Sequence, residues 1–412
     1  MIVRRQFMAG LAVSVGALSG CASNGNNTIF GGAATSRASA NRGSVLSAQD
    51  LEDALVGSTY LGCGGGGGVT EARELIAADL AAGQVFRAID VNELGDDERV
   101  ACPYGLGSLA PNSEEMQARL DAIENPVEVP TLAAFNLLEK HLGVKFAGVI
   151  LGEIGPLSMA EGLSIAARLG VPALDADTVG RAVPEINQHS VRVAGHPLTP
   201  ASGVTPFGDE IILQDIQDPS REEDVFRGIS VVSSALGVVD APITGAVAKS
   251  DYALVKGSLT LAMKIGAAVR EAQQANEDPI EAARIAGGGY SLFEGTIEDF
   301  TWADEDGFLV GDISLAGSGD YAGQSMELLY KNEHLVARRD GEVIATCPDL
   351  ITLVDRTTFE GVKNPDFEKG RSVSVLGYKS DPIWRLPEGL AVFNPRYFGY
   401  DVDYIPIEQR LA

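Results

Sequence analysis

The sequence predicts an α/β N-terminal domain on a mainly parallel sheet, followed by a β-rich α+β C-terminal domain. Three observations predict it. In the first half, short apolar runs alternate with segments of helical spacing: Ala147-Gly-Val-Ile-Leu151, then residues 157–169, then residues 171–174. From Gly307 onward, strand-length runs follow one another with Gly and Asp between them. A chain of 412 residues with 45% apolar content is long enough for two cores.

The chain begins with Arg4-Arg5-Gln-Phe7-Met8, then an apolar run over residues 9–18, then Leu18-Ser-Gly-Cys21. A basic segment, a short apolar segment and a small-residue cleavage site read as a bacterial export signal, too short to span a bilayer as a helix. Leu-Ser-Gly-Cys resembles a lipobox, with lipid added at Cys21. The paired arginines before Phe7 resemble a twin-arginine signal. Residues 1–21 are therefore read as a lipoprotein signal peptide and residues 22–44, rich in Ser, Asn, Gly and Ala, as a flexible tether. The expected protein is exported and anchored in the cell envelope, touching membrane only through its lipidated N-terminus.

Order is expected from residue 45, with an N-terminal domain over 45–205 and a C-terminal domain over 206–412; Pro, Ser, Gly and Thr gather at 197–208. A strand-like Ser58-Thr-Tyr-Leu61 precedes Gly62-Cys63-Gly64-Gly65-Gly66-Gly67-Gly68, and a helical stretch over 71–82 follows. Consecutive glycines before a helix N-terminus let backbone N–H groups face an anion, so Gly64, Gly65, Gly66 and Gly67 are a candidate anion or oxyanion loop. Gly62, Gly64 and Gly67 satisfy G-x-G-x-x-G, with Asp90 ending the next strand-like run, but five glycines match that pattern trivially and no nucleotide is expected. Cys63 is a candidate nucleophile or metal ligand because a thiol at a helix N-terminus can ionise early. Filling a tight turn is its bland alternative.

Residues 147–151, 157–169 and 171–174, with Gly170 as C-cap and Pro172 beyond, form a strand–helix–strand unit, hence adjacent parallel strands. Glu153 would leave the carboxyl end of one strand and Asp175-Ala-Asp177-Thr-Val-Gly-Arg181-Ala-Val-Pro-Glu-Ile-Asn-Gln-His189 that of its neighbour. Ligands bind at such ends in open α/β sheets. Asp175 and Asp177 are candidate bases or metal ligands, Glu153 a supporting carboxylate, Arg181 a substrate anchor and His189 a metal ligand. The competing reading is that the acids cap the next helix and Arg181 neutralises them.

A helix is expected over residues 258–273, its small residues packed closely on a neighbour. Strands follow at 308–315, 326–330, 335–338, 343–346, 350–355 and 372–376. Asn332-Glu333-His334 lies between two of them, and His334 is a further candidate metal ligand. Cys63, Cys102 and Cys347 remain once Cys21 is lipidated, an odd count that leaves at least one free thiol. No Cys-x-x-Cys or His-Glu-x-x-His spacing is present, so a divalent metal such as zinc would be held by residues distant in sequence. The net charge of −26 argues against nucleic acid.

Leu61-Gly-Cys-Gly-Gly-Gly-Gly67, Asp175-Ala-Asp177 with Gly180-Arg181 and Pro184-Glu185, Phe293-Glu-Gly295, Asn332-Glu333, Pro348-Asp-Leu-Ile351 and Arg396-Tyr-Phe-Gly-Tyr-Asp401 occur in that order. The set resembles the S-methyl thiohydantoin desulfurase-like (DUF917) family, over residues 51–406. The resemblance implies hydrolysis at a C–S or C–N bond of a small cyclic amide-like substrate, of the hydantoin or S-methyl thiohydantoin type. Self-association is left open. A non-catalytic lipoprotein that binds a small ring compound is the alternative, and a nicotinamide oxidoreductase rests on the glycine run and Asp90 alone.

Overall fold

The computed structural model describes residues 42–107 and 112–412. Arg4, Arg5 and Cys21 lie outside the described residues. A sheet of nine strands organises the first half, in the order Ser44–Val45, Arg87–Ile89, Ala173–Asp177, Gly148–Leu151, Arg99–Gly107, Ala235–Thr244, Ala201–Val204 and Glu210–Leu213, with Val255–Lys256 paired to Ala173–Asp177. Its four central strands, from Arg87–Ile89 to Arg99–Gly107, run parallel, and the outer pairings are antiparallel. Strands on both sides of residue 206 thus share one sheet.

The expected strand–helix–strand unit is present. Gly148–Leu151 and Ala173–Asp177 are adjacent and parallel, joined by helix Pro156–Leu169, which starts on Pro156 and ends at Gly170 in the left-handed conformation. The second strand runs farther than residues 171–174 implied. Val255–Lys256 pairs with Ala176 and Asp177 from the other side, which keeps both acids inside the strand rather than beyond it.

Residues 58–61 are helical, not extended. The helix Ala48–Leu61 opens with a reciprocal Ser47–Asp50 capping box and carries straight through them. Thr59 and Tyr60 favour strands, but burial of this helix against Ser258–Ala275 overrides local preference. The two backbones touch: a Cβ on Gly57 would lie 1.8 Å from the Ala262 carbonyl oxygen, and one on Gly266 1.9 Å from that of Asp53.

The second half is built on an antiparallel, half-barrel sheet of seven strands, ordered Glu342–Thr346, Glu333–Arg339, Ser325–Lys331, Phe308–Gly317, Tyr290–Glu305, Ser372–Tyr378 and Leu350–Asp355. Leu292, Phe293, Ile313, Leu328, Tyr330 and Val375 fill its core. The hairpin between Ser325–Lys331 and Glu333–Arg339 turns on Asn332, whose φ is +56°, and so aims Glu333 back at the glycine loop of the first half. Among the described residues no helix is long and apolar enough to cross a membrane.

Candidate functional site

Two adjoining cavities lie at the carboxyl end of the central parallel strands. The larger, about 420 Å3, is lined by Gly64–Gly67, Glu153, Glu161, Arg227, Glu333 and Lys363, among others. The smaller, about 100 Å3, is lined by Cys102, Tyr104, Thr178, Glu185, Gln188 and His189. Glu153, Ser158 and Arg227 border both.

The glycines of the loop answer to crowding. Gly64, Gly66 and Gly67 have φ of +87°, +70° and +77°, values that side-chain-bearing residues rarely adopt. A Cβ on Gly66 would stand 2.3 Å from the Gly155 Cα, and one on Gly65 only 1.7 Å from Oε1 of Glu333. The Gly66 carbonyl accepts hydrogen bonds from the Leu157 and Ser158 N–H groups, and the Gly64 carbonyl from Asn364 N–H. The loop is therefore a junction where helices Ala48–Leu61 and Val69–Ala81, the 153–158 turn and the second half meet, and Glu333 presses on it without an intervening side chain.

Three carboxyl groups face the larger cavity. Glu153 accepts from Ser158 Oγ at 2.7 Å and Val183 N–H at 2.9 Å, and burial pushes it up from its ordinary value. Burial raises Glu161 from 4.5 to about 7, with negative Glu153 adding to the effect. Glu333 goes well above 4.5 for the same two reasons, and its Oε2 has no hydrogen-bond partner. A carboxyl taken out of water resists ionising. Arg227 is pinned by Glu223 at 2.7 Å and stacked over Phe308, whereas Lys363 makes only long pairs with Glu71 at 3.7 Å and Asp366 at 3.5 Å.

Of the residues singled out from sequence, Glu153, His189 and Gly64–Gly67 line these cavities. The others sit elsewhere. Asp175 accepts from Thr260 N–H at 2.9 Å and Thr260 Oγ1 at 2.6 Å, and so caps helix Ser258–Ala275 across the fold. Asp177 turns Oδ2 onto the Val179 and Gly180 N–H groups, bracing the loop that follows; burial raises it from 3.8 to about 7. Arg181, 1% exposed, donates to the carbonyls of Ala182, His334 and Asp349 and lies over Phe393, which ties the two halves together and leaves no donor shown facing a ligand.

Cys63 is fully buried, hydrogen-bonded to the Leu61 carbonyl, and burial raises its thiol, the opposite of an activated nucleophile. Its φ of +53° fits the tight-turn reading. His334 contacts the Ile351 carbonyl through Nδ1, and burial lowers it to about 4. None of these five lines either cavity.

Residues that sequence reasoning passed over complete the site. Glu161 carries no motif in the sequence, and Glu333 stands there beside His334 and in the Asn332-Glu333 pair of the family resemblance without a role of its own. Cys102 and Asp240 face each other across the antiparallel pair Arg99–Gly107 and Ala235–Thr244. With His189 they are the one group of three metal-capable side chains that converge among the described residues. The three cysteines among the described residues, Cys63, Cys102 and Cys347, are free and buried.

A crystal structure of a protein from Chromobacterium violaceum is similar to this chain: 27% identity, a TM-score of 0.68, and coverage of 88% of this chain and 99% of that one. No curated protein matches. The S-Me-THD-like N-terminal domain matches residues 49–215 and the S-Me-THD-like C-terminal domain residues 217–407. The sheet, its glycine junction and the cavities between them are thus those of a chain that belongs to the S-Me-THD-like family.

Proposed function

We propose that this chain, a member of a family of hydantoin-related enzymes, is a hydrolase acting on a small cyclic amide-like ring of the S-methyl thiohydantoin or hydantoin type, with the reaction in the larger cavity. The supporting observation is the trio Glu153, Glu161 and Glu333 around one cavity of about 420 Å3, within the range that holds small ligands. Burial beside Glu153 pushes both of the other acids up: Glu161, at about 7, exchanges its proton near neutrality, and Glu333 goes well above 4.5. We assign Glu161 the work of base and Glu333, which has one oxygen without a partner, that of hydrogen-bond donor.

For an S-methyl thiohydantoin, ionised Glu161 takes a proton from water as the hydroxyl oxygen adds to the ring carbon that bears sulfur. The C=N electrons move to the ring nitrogen, which takes the proton that Glu161 had received from water, while neutral Glu333 donates a hydrogen bond to the ring's polar edge. Glu161, ionised again, takes the proton of the added hydroxyl as the new C=O forms and the C–S bond breaks, and passes it to the departing sulfur, which leaves as methanethiol. One water is consumed and a hydantoin remains. Glu153 holds the 153–183 contact that shapes the wall, and Lys363 offers charge for an anionic ring form. The signal around Cys21 would place this reaction in the cell envelope, which the lipid content and fractionation of the mature protein would check.

The purified chain, incubated with S-methyl thiohydantoins and hydantoins, is expected to release thiol or open the ring, and Glu161→Gln to slow turnover by roughly 100-fold or more. A folded protein that turns over none of these compounds would sink the proposal. Retention of a ring compound through purification without turnover would favour a binding lipoprotein.

A further inference from the structure

We propose that Cys102, His189 and Asp240 form a binding site for one divalent transition metal, with the chemistry of zinc. One ligand atom from each lies within 4.8 Å of the other two, and all three residues are buried. The polar atoms concerned lack partners. Neither ring nitrogen of His189 nor Oδ1 of Asp240 makes a hydrogen bond, although His189 is 4% exposed and Asp240 0%. Leaving such groups buried and unpaired costs stability, so each calls for an explanation.

The separation of His189 Nε2 from Asp240 Oδ1 is 3.6 Å. That is too long for a hydrogen bond and close to the edge of a zinc coordination tetrahedron, roughly 3.3–3.6 Å for zinc–ligand bonds of about 2.0–2.3 Å. With every separation within 4.8 Å, no edge would need to shorten by more than about 1 Å on binding. Thiolate, imidazole and carboxylate together suit zinc or cobalt rather than magnesium or calcium.

The backbone is shaped to bring these groups together. Val100 pairs with Ile243 but Cys102 with Asp240, so Ala241 and Pro242 stand opposite Ala101 alone. Ala241 takes a φ of +45° in this bulge, a conformation that a side-chain-bearing residue keeps only when its surroundings impose it. The bulge turns Asp240 inward, where Tyr104 donates a hydrogen bond to Oδ2 at 2.8 Å and leaves Oδ1 free.

The surroundings are rich in acidic groups. Glu222, Glu153 and Asp177 act on this cluster, Arg192 acts on Glu222, and no Lys or Arg of the described residues forms an ion pair with Asp240. A bound cation would offset this concentration of carboxylates. Cys102 and His189 also line the 100 Å3 cavity, which Glu153 borders, so a metal held by three protein ligands would have room for a further ligand on that side. The inference goes beyond the hydrolase reading, and metal uptake is measured without any substrate.

The test is cobalt titration of the full purified chain after chelator dialysis, followed by the near-ultraviolet thiolate-to-cobalt absorption. Wild type is expected to take up one cobalt per chain with that band. Cys102→Ser is expected to lose the band, and Asp240→Asn to bind more than 10-fold more weakly. Cys347→Ser should behave as wild type. A folded wild-type chain that binds no cobalt, or a band that survives in C102S, would overturn the site and leave a plain buried His189–Asp240 pair.

Discussion

The segment 175–181 and the wall of the larger cavity are both rich in ionisable groups, yet they handle charge differently. In the first, each group is held by hydrogen bonds: Asp175 by Thr260, Asp177 through Oδ2 by two backbone N–H groups while Oδ1 stays unpaired, Arg181 by carbonyls from both halves. In the second, Glu161 and Glu333 sit near another negative group, Glu153, with one Glu333 oxygen unpaired. Satisfied charges hold a fold, whereas charges kept unsatisfied are available for chemistry. A dense run in sequence reports neither condition, because partners are a property of the tertiary structure.

Arg181 is where that contrast can be broken most forcefully. Replacing it by Met leaves the carbonyls of Ala182, His334 and Asp349, now 2.9 to 3.1 Å from guanidinium nitrogens, buried without donors. The expected loss is about 3–5 kcal/mol of stability, read by urea unfolding. A variant that stays stable but loses turnover would make Arg181 a substrate-binding group and erase the distinction.

Glu161 should behave in the opposite manner. Below about 4.5 the folded and unfolded chains both hold its proton. Between there and about 7 the unfolded chain releases the proton while the folded chain keeps it, so stability falls as pH rises through this window. Above 7 the folded chain bears the whole cost of ionising a buried carboxyl. Glu161→Gln is expected to flatten that slope and to be more stable than wild type at pH 8 by up to ~3 kcal/mol, while turnover drops. Destabilisation at pH 8 would mean that the charge is structural after all.

How much of this was legible in the sequence follows the same line. The strand–helix–strand unit from Gly148 to Asp177 could be read because helical spacing, Gly170 and Pro172 are local signals. Glu153 could be placed because position after a strand is a topological fact. Asp175 could not be told from a catalytic acid, since the helix it caps begins more than eighty residues later. Cys102 and Asp240 meet only through antiparallel pairing with a bulge, and Glu333 reaches the glycine loop only through a hairpin of the other half. The glycine run read as an anion cradle because the sequence shows the missing side chains and not what occupies their space.

That last point sharpens into a smaller effect. Gly65→Ala places a methyl 1.7 Å from Oε1 of Glu333, a side chain 3% exposed, and must displace the carboxyl. About 1–3 kcal/mol of stability and a larger share of turnover should go with it. Gly68→Ala meets Oε2 of Glu71 at 1.9 Å, but that side chain is 55% exposed and can swing away, so activity should hold. Equal losses in the two variants would show that the loop matters as backbone and not as the surface on which Glu333 rests.

Asp175→Ala is the mildest change and the most discriminating one. The carboxylate serves the first turn of helix Ser258–Ala275, whose own N-cap, Gly257, supplies no side chain. Removing it should cost about 1 kcal/mol in thermal or urea unfolding, the usual effect of losing a cap. Turnover should stay within about twofold of wild type, because a base or a metal ligand would cost at least 100-fold. A large kinetic loss at unchanged stability would return Asp175 to the active site and require the helix start to move on substrate binding.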